Sequence, residues 1–150
     1  MDKISLREAF IAQLWRMYKL DIMLYLREFL VGETAALEYI ATQPAPCTPS
    51  EISDSMRVSR ARTANVLRSL REKGYVDMRT DEDDRRRVNV TVTDEGLKCL
   101  AEKHEFLADY FDMYIGEIGE ENAGRMTELL KLTADCAPSL MERIMRERKA

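Results

Sequence analysis

Six cationic side chains, Arg57, Arg60, Arg62, Arg68, Arg71 and Lys73, fall in a segment whose single acid is Glu72. A second group, Arg85, Arg86 and Arg87, follows directly on Asp81, Glu82, Asp83 and Asp84. Such segments either meet a polyanion or clothe an ordinary solvated face, and composition alone allows both. The surrounding chain is acidic. Its 150 residues hold 23 Lys+Arg against 27 Asp+Glu, a net charge of −4. Divided along its length, residues 1–46 carry −1, residues 47–92 carry +2 and residues 93–150 carry −5. The cationic middle therefore stands out against both flanks.

Enzyme chemistry has little to work with. No Gly-rich phosphate loop and no paired nucleophile and base are present, and His104 is the sole histidine. A zinc site needs three or four clustered ligands, so no metal site and no cofactor are expected. The opening Met1-Asp2-Lys3-Ile4-Ser5 lacks the basic start and apolar run of a secretion signal. No stretch approaches the ~18 uninterrupted apolar residues of a membrane span. With three cysteines, an odd number, the expectation is a cytoplasmic protein with free thiols and no membrane partner.

The elements that carry the cations follow from local signals. In Thr48-Pro49-Ser50-Glu51 a hydroxyl cap, a proline at the first helical position and a glutamate three residues past the cap open a short helix to about Met56. A tight turn at Arg57-Val58 leads to Ser59, a second cap, and a basic helix over 60–73 closed by Gly74. Two helices joined in this way form a helix-turn-helix. The period then changes: Val76 and Met78, then Val88, Val90 and Val92, alternate with polar residues as in two half-buried strands. The hairpin spans 76–92, carries the charged loop 81–87 at its tip, and reads as a wing.

The flanks are apolar beyond what a single core needs. From Ile4 to Val31 there is no Gly or Pro, nineteen of 28 residues are apolar, and they wrap around more than one face of the helix expected there. A second burial surface is implied, most simply another subunit. Ala35–Ala41 reads as a short helix ended by Pro44 and Pro46. Thr93-Asp94-Glu95 caps a helix to about Ile118, and Glu120 begins another to about Asp135. Pro138 is expected to end that pattern, with Ser139 to Glu142 capping a last short helix. The fold class is mainly α with a small β-hairpin wing. Residues 1–31 form an N-terminal dimerisation helix, 32–93 a winged helix-turn-helix lobe, and 94–150 the C-terminal dimerisation helices.

The segment from Thr48 to Gly96 resembles the MarR family of bacterial transcriptional regulators. The residues that carry the resemblance are Thr48-Pro-Ser-Glu-Ile52, Val58 to Val76, the loop Asp81 to Arg87 and the exit Val90-Thr-Val-Thr-Asp-Glu-Gly96. It implies a homodimer whose terminal helices intertwine while two winged lobes straddle a pseudo-palindromic operator of double-stranded DNA. It also implies regulation of transcription, with repression relieved by a small aromatic or anionic effector. An oxidant-sensing regulator of the same fold and a winged-helix protein-interaction module without DNA binding are the alternatives. The basic second helix speaks against the latter.

On the helix 60–73, Thr63, Val66, Leu67 and Leu70 should pack inward, leaving Ala61, Arg62, Asn65 and Arg68 largely outward. Arg62 and Asn65 are the expected base readers, since Arg pairs bidentately with guanine and Asn with adenine. Thr48, Ser50, Ser59, Arg60 and Arg68 are phosphate candidates, which position without specifying. In the family an Asp and an Arg two residues later pair, and that Arg enters the minor groove. Here these are Asp84 and Arg86, with Arg85 and Arg87 on phosphates. The acids ahead of the arginines either orient the guanidinium groups or are solvated on the rim. The family usually has an acid where Arg68 stands and often Arg where Asn65 and Ser69 stand, so base contacts do not transfer directly. Trp15, Tyr18, Tyr39, Tyr110 and Met113 are candidates to line the effector pocket, or are ordinary packing. Cys47 precedes a helix start, whose dipole would lower its thiol pKa, whereas Cys99 and Cys136 read as packing residues.

Overall fold

The computed structural model describes residues 2–148. Seven helices and one hairpin are formed there: α1 (Lys3–Tyr18), α2 (Asp21–Val31), α3 (Glu33–Thr42), α4 (Pro49–Met56), α5 (Arg60–Glu72), β1 (Val76–Thr80), β2 (Val88–Val92), α6 (Asp94–Ile118) and α7 (Glu120–Glu147). The fold is mainly α with a small antiparallel wing. Two compact units divide after Lys103, the first containing the helix-turn-helix and the wing.

The core of the first unit is built where α3, α4, α5 and the hairpin meet. Leu37, Ile40, Ile52, Leu67, Leu70, Val76 and Val90 are buried together with Ala36, Cys47 and Leu100. Thr63 is buried as expected and Val66 is half-buried. The hydroxyls of Ser53 and Thr63, both buried, are hydrogen-bonded at 2.9 Å, which locks α4 against α5 without leaving a polar orphan. The strands pair in the register Val76↔Val92, Met78↔Val90 and Thr80↔Val88, so the apolar alternation faces one side. Cys47 adds a single antiparallel bridge to Val90, with Val90 N–H donating to Cys47 O at 2.8 Å.

Thr93 ties the wing to α6. Its hydroxyl donates to Gly74 O at 2.6 Å and accepts the Gly96 N–H at 3.1 Å, while its own N–H donates to Tyr75 O at 3.0 Å. Gly74 sits at φ +75°, a left-handed position that suits glycine after α5.

Three expectations are corrected. The helix expected over Ile4–Val31 is broken at Leu20, whose backbone is extended at φ −73°, ψ 139°. No Gly or Pro marks the break. The charges do: Arg16 lies in the last turn of α1 and Asp21 in the first turn of α2, each complementing a helix dipole. At the other end, α7 runs through Pro138 instead of stopping. Ser139 does not cap a new helix. Its hydroxyl donates back to Cys136 O at 3.0 Å, within the same continuous helix. The expectation that Cys136 is a packing residue also fails within one chain, where it is exposed; Cys99 is half-buried.

Candidate nucleic-acid interface

The helix-turn-helix is shaped by its caps. Thr48 and Glu51 form a reciprocal capping box: Glu51 N–H donates to Thr48 Oγ1 at 3.3 Å, and Thr48 N–H donates to Glu51 Oε2 at 2.6 Å. The Thr48 hydroxyl also donates to Glu51 Oε2, at 2.9 Å. These bonds from the Thr48 backbone and side chain, with the field of Arg87, hold the Glu51 carboxyl below the usual range. The turn is closed by Arg57 in the left-handed region at φ 53°, with Val58 N–H donating to Ser53 O at 3.1 Å. Ser59 then caps α5, its Oγ accepting the Arg62 N–H at 3.2 Å.

With Thr63, Leu67 and Leu70 buried, Ala61, Ala64, Asn65 and Arg68 form an exposed face. Asn65 and Arg68 stand on it beside two small residues that permit close approach to a groove. Arg62 belongs to a different flank. It shares helical spacing with Val66, Ser69 and Lys73, and its guanidinium donates to Val31 O, the last carbonyl of α2, at 3.4 Å. A cation there complements the negative end of that helix. The same flank carries the Lys73–Glu33 ion pair at 2.5 Å. Partial burial raises the Glu33 carboxyl, but hydrogen bonds from Lys73 and Ser69 leave it net below its ordinary value.

Thr48, Ser50, Asp84, Arg86 and Arg87 come together around a cleft of about 380 Å³ between the start of α4 and the wing loop. Arg60 reaches the same edge by a hydrogen bond from its guanidinium to Ser50 Oγ. Residues as far apart as Thr48 and Arg87 thus present one surface with the chemistry of a phosphate contact. Thr48 contributes less than expected, because its hydroxyl hydrogen is directed to Glu51. Arg85 is exposed beside the cleft but does not line it.

The wing pair differs from its expected form. Asp84 Oδ1 accepts the backbone N–H of Arg86 at 2.9 Å, and no ion pair forms between the two side chains among the described residues. Asp81 accepts from the N–H groups of Asp83 and Asp84 at 3.0 and 3.1 Å, and from Asn89 Nδ2 at 2.8 Å. These bonds, Asn89 foremost, lower its carboxyl pKa. The acids divide accordingly. Asp81 and Asp84 order the loop backbone, while Glu82 and Asp83 are exposed. The role of Asp81 was not legible in the sequence, because it depends on Asn89 lying across the hairpin.

A second cavity of about 310 Å³ is lined by residues including Glu28, Glu33, Lys73, Tyr75, Cys99 and Lys103. Lys103 pairs with Glu28 at 3.1 Å and lies 5.3 Å above the Tyr25 ring. None of the five residues expected in an effector pocket lines it. Trp15 and Tyr18 meet edge to face at 6.2 Å on α1, and Tyr39 packs beside the core. In the other unit, Tyr110 stacks on Tyr114 and Met113 is exposed.

Cys47 reverses its expectation. It is 4% exposed, and burial first, then the charge of Glu51, pushes its thiol pKa up rather than down. A buried, protonated thiol is a poor oxidant sensor. Among the described residues, no group of three or more His, Cys, Asp or Glu side chains is placed to hold a metal ion. No helix among them is long and apolar enough to cross a membrane.

Comparison with known proteins places these features. Residues 30–87 match the model of the MarR family, a span that runs from the end of α2 to the wing loop. The HTH-type transcriptional regulator BilQ of Clostridium symbiosum is 25% identical over 93 residues, which cover 62% of this chain and 64% of that protein. Among solved structures, S. aureus MepR bound to DNA superposes with a TM-score of 0.63 at 21% identity, covering 84% of this chain and 98% of that one. Streptococcus pneumoniae FabT in complex with DNA gives 0.61 at 19% identity, covering 93% and 99%.

Proposed function

We propose that the chain is a winged helix-turn-helix transcriptional regulator of the MarR family, a homodimeric repressor of a pseudo-palindromic operator that is released by a small effector. One observation carries the DNA reading: α5 presents an exposed Ala61, Ala64, Asn65, Arg68 face that the core does not use, beside the cleft formed by Ser50, Arg86 and Arg87. Asn65 and Arg68 are the side chains best set to reach base edges in a major groove. Ser50, Arg60, Arg86 and Arg87 anchor the phosphate backbone, and Arg85 joins them from the loop. Arg62 reads bases only if it leaves Val31 O, so its contribution to specificity is smaller than its sequence position suggests.

Dimerisation is supported by the surface of α1, no residue of which is buried. Phe10 is 58% exposed and Trp15 61%, an apolar area that one chain leaves to water. The effector reading is supported by the cavity between Lys73 and Lys103. Its two cations sit against carboxylates that an anionic ligand would displace, and Lys73 is the C-cap of α5, the helix that carries the reading face. Trp15, Tyr18, Tyr39, Tyr110 and Met113 remain candidates for an aromatic wall contributed in the dimer.

Selection of binding sites from random duplexes tests the proposal. A two-fold symmetric motif, with half-site centres roughly ten base pairs apart, is the expected product. Recovery of no motif would overturn it in favour of a protein-interaction module.

A further inference from the structure

The wing loop 82–87 is held almost entirely by polar contacts. All six of its residues are exposed, so no apolar burial fixes its course. Left to itself, such a segment samples many conformations. Its backbone nevertheless follows a closed path. Asp81 N–H donates to Arg87 O at 2.9 Å across the mouth of the loop, and Arg87 N–H donates to Asp84 O at 2.8 Å inside it.

The hub is one carboxylate. Oδ1 of Asp81 takes the N–H groups of Asp83 and Asp84, and Oδ2 takes Asn89 Nδ2 at 2.8 Å. Both oxygens are in use, and each bond is charge-assisted. A carboxylate cannot donate, so Asn89 must turn its amide nitrogen toward it; the Asn89 Oδ1 atom is left buried and unpartnered. In this arrangement the acid at 81 accepts and the amide at 89 donates.

We propose that Asp81 is a positioning residue for DNA binding: by gathering the N–H groups of the loop and of Asn89, it holds Arg85, Arg86 and Arg87 in the one arrangement that meets the phosphate backbone. The inference rests on the DNA-binding reading above and deepens it, since Asp81 itself touches no nucleic acid. Ordinary electrostatics argues the other way. An acid beside a phosphate contact repels DNA, so its neutralisation should tighten binding. A positioning role demands the opposite.

Asp81→Asn is nearly isosteric and removes that repulsion. Its oxygen can still accept the Asp83 and Asp84 N–H groups, and Asn89 can turn its unpartnered oxygen to the new amide, but every bond of the hub is then neutral where it was charge-assisted. Affinity for the selected duplex should fall about tenfold, on the scale of one lost charge-assisted hydrogen bond. The slope of log affinity against log salt should become shallower by about one or two phosphates' worth. The exchanged pair Asp81→Asn with Asn89→Asp keeps the net charge and restores a charge-assisted bond across the hairpin, so both quantities should recover in part. Amide hydrogen exchange without DNA gives a separate readout, with the Asp83, Asp84 and Arg87 amides losing protection in the single variant and regaining it in the double. Tighter or unchanged binding by Asp81→Asn, or no recovery in the exchanged pair, overturns the proposal. If the unaltered protein binds no DNA, the wider reading fails instead, and exchange alone decides whether Asp81 orders the loop.

Discussion

Gly96 leaves no room for a side chain where α6 meets Tyr75 and Val92, and replacing it with alanine gives a quantitative test of that join. A Cβ built there would lie 2.2 Å from Tyr75 O and 2.9 Å from Val92 Cγ2. Carbon–oxygen contacts need about 1 Å more than the first of these, and the obstructing atom is backbone, so α6 or the strand must shift. Overpacking of this kind costs about 2 kcal/mol. The shift also strains the Thr93 N–H bond to the same Tyr75 carbonyl, for about 1 kcal/mol more. Alanine returns about 1 kcal/mol through helix propensity, leaving a net loss of about 2 kcal/mol. At fixed protein concentration the thermal midpoint should drop by about 4–8 °C. Gly74→Ala meets no atom within 4 Å but sits at φ +75°, so it should lose only about 1 kcal/mol through backbone strain. Thermal unfolding of the three proteins should rank them in that order. A Gly96→Ala midpoint within a degree of the unaltered protein would refute the close approach on which the reasoning depends.

Thr48→Ala removes the cap of α4 and should destabilise the lobe by about 1 kcal/mol in chemical unfolding. Because the folded pKa of Glu51 lies below its ordinary 4.5, its contribution is complete above that value and is lost as pH falls through the lower folded value. Acid titration should therefore narrow the stability gap between the unaltered protein and Glu51→Gln; a gap independent of pH would contradict the capping box. Cys47, buried and bonded through Sγ to Val90 O at 3.8 Å, should react with a maleimide only as fast as the lobe opens, while the exposed Cys136 reacts at once; rapid labelling located at Cys47 by peptide mapping would argue against its placement. Sedimentation at micromolar concentration should return twice the chain mass, with a clean monomer counting against the dimer. Deleting residues 1–20 should give aggregated or unfolded protein.

The winged lobe was legible because its signals are local. Thr48 and Glu51, Ser59, Gly74 and the alternating valines each act within a few residues, and each marks a boundary that the structure has. The break at Leu20 was missed because helix ends without Gly or Pro leave only a charge pattern, Arg16 and Lys19 followed by Asp21. Pro138 misled in the opposite direction: one missing N–H within a helix of 28 residues did not end it. Cys47 shows how a local cue can have the wrong sign. Its nearness to a helix start is visible in sequence, but its burial is set by Val90, 43 residues away. The site divides in the same way. Ser50, Arg60, Arg86 and Arg87 are candidates by type that the fold gathers along one edge, whereas the tether of Arg62 to Val31 and the hub at Asp81 depend on contacts between elements.

Salt dependence of binding to the selected duplex tests the central claim most directly, because it counts phosphates neutralised by the α4–α5 edge and the wing. If a dimer engages roughly six to ten phosphates, log affinity should fall with log salt at a slope of about −5 to −9. Replacing Arg86 and Arg87 together with alanine should remove about four of those contacts across the dimer and flatten the slope by about 3 to 4. A flat response in the unaltered protein, or a slope that the two substitutions leave unchanged, would contradict the assignment of this surface to DNA.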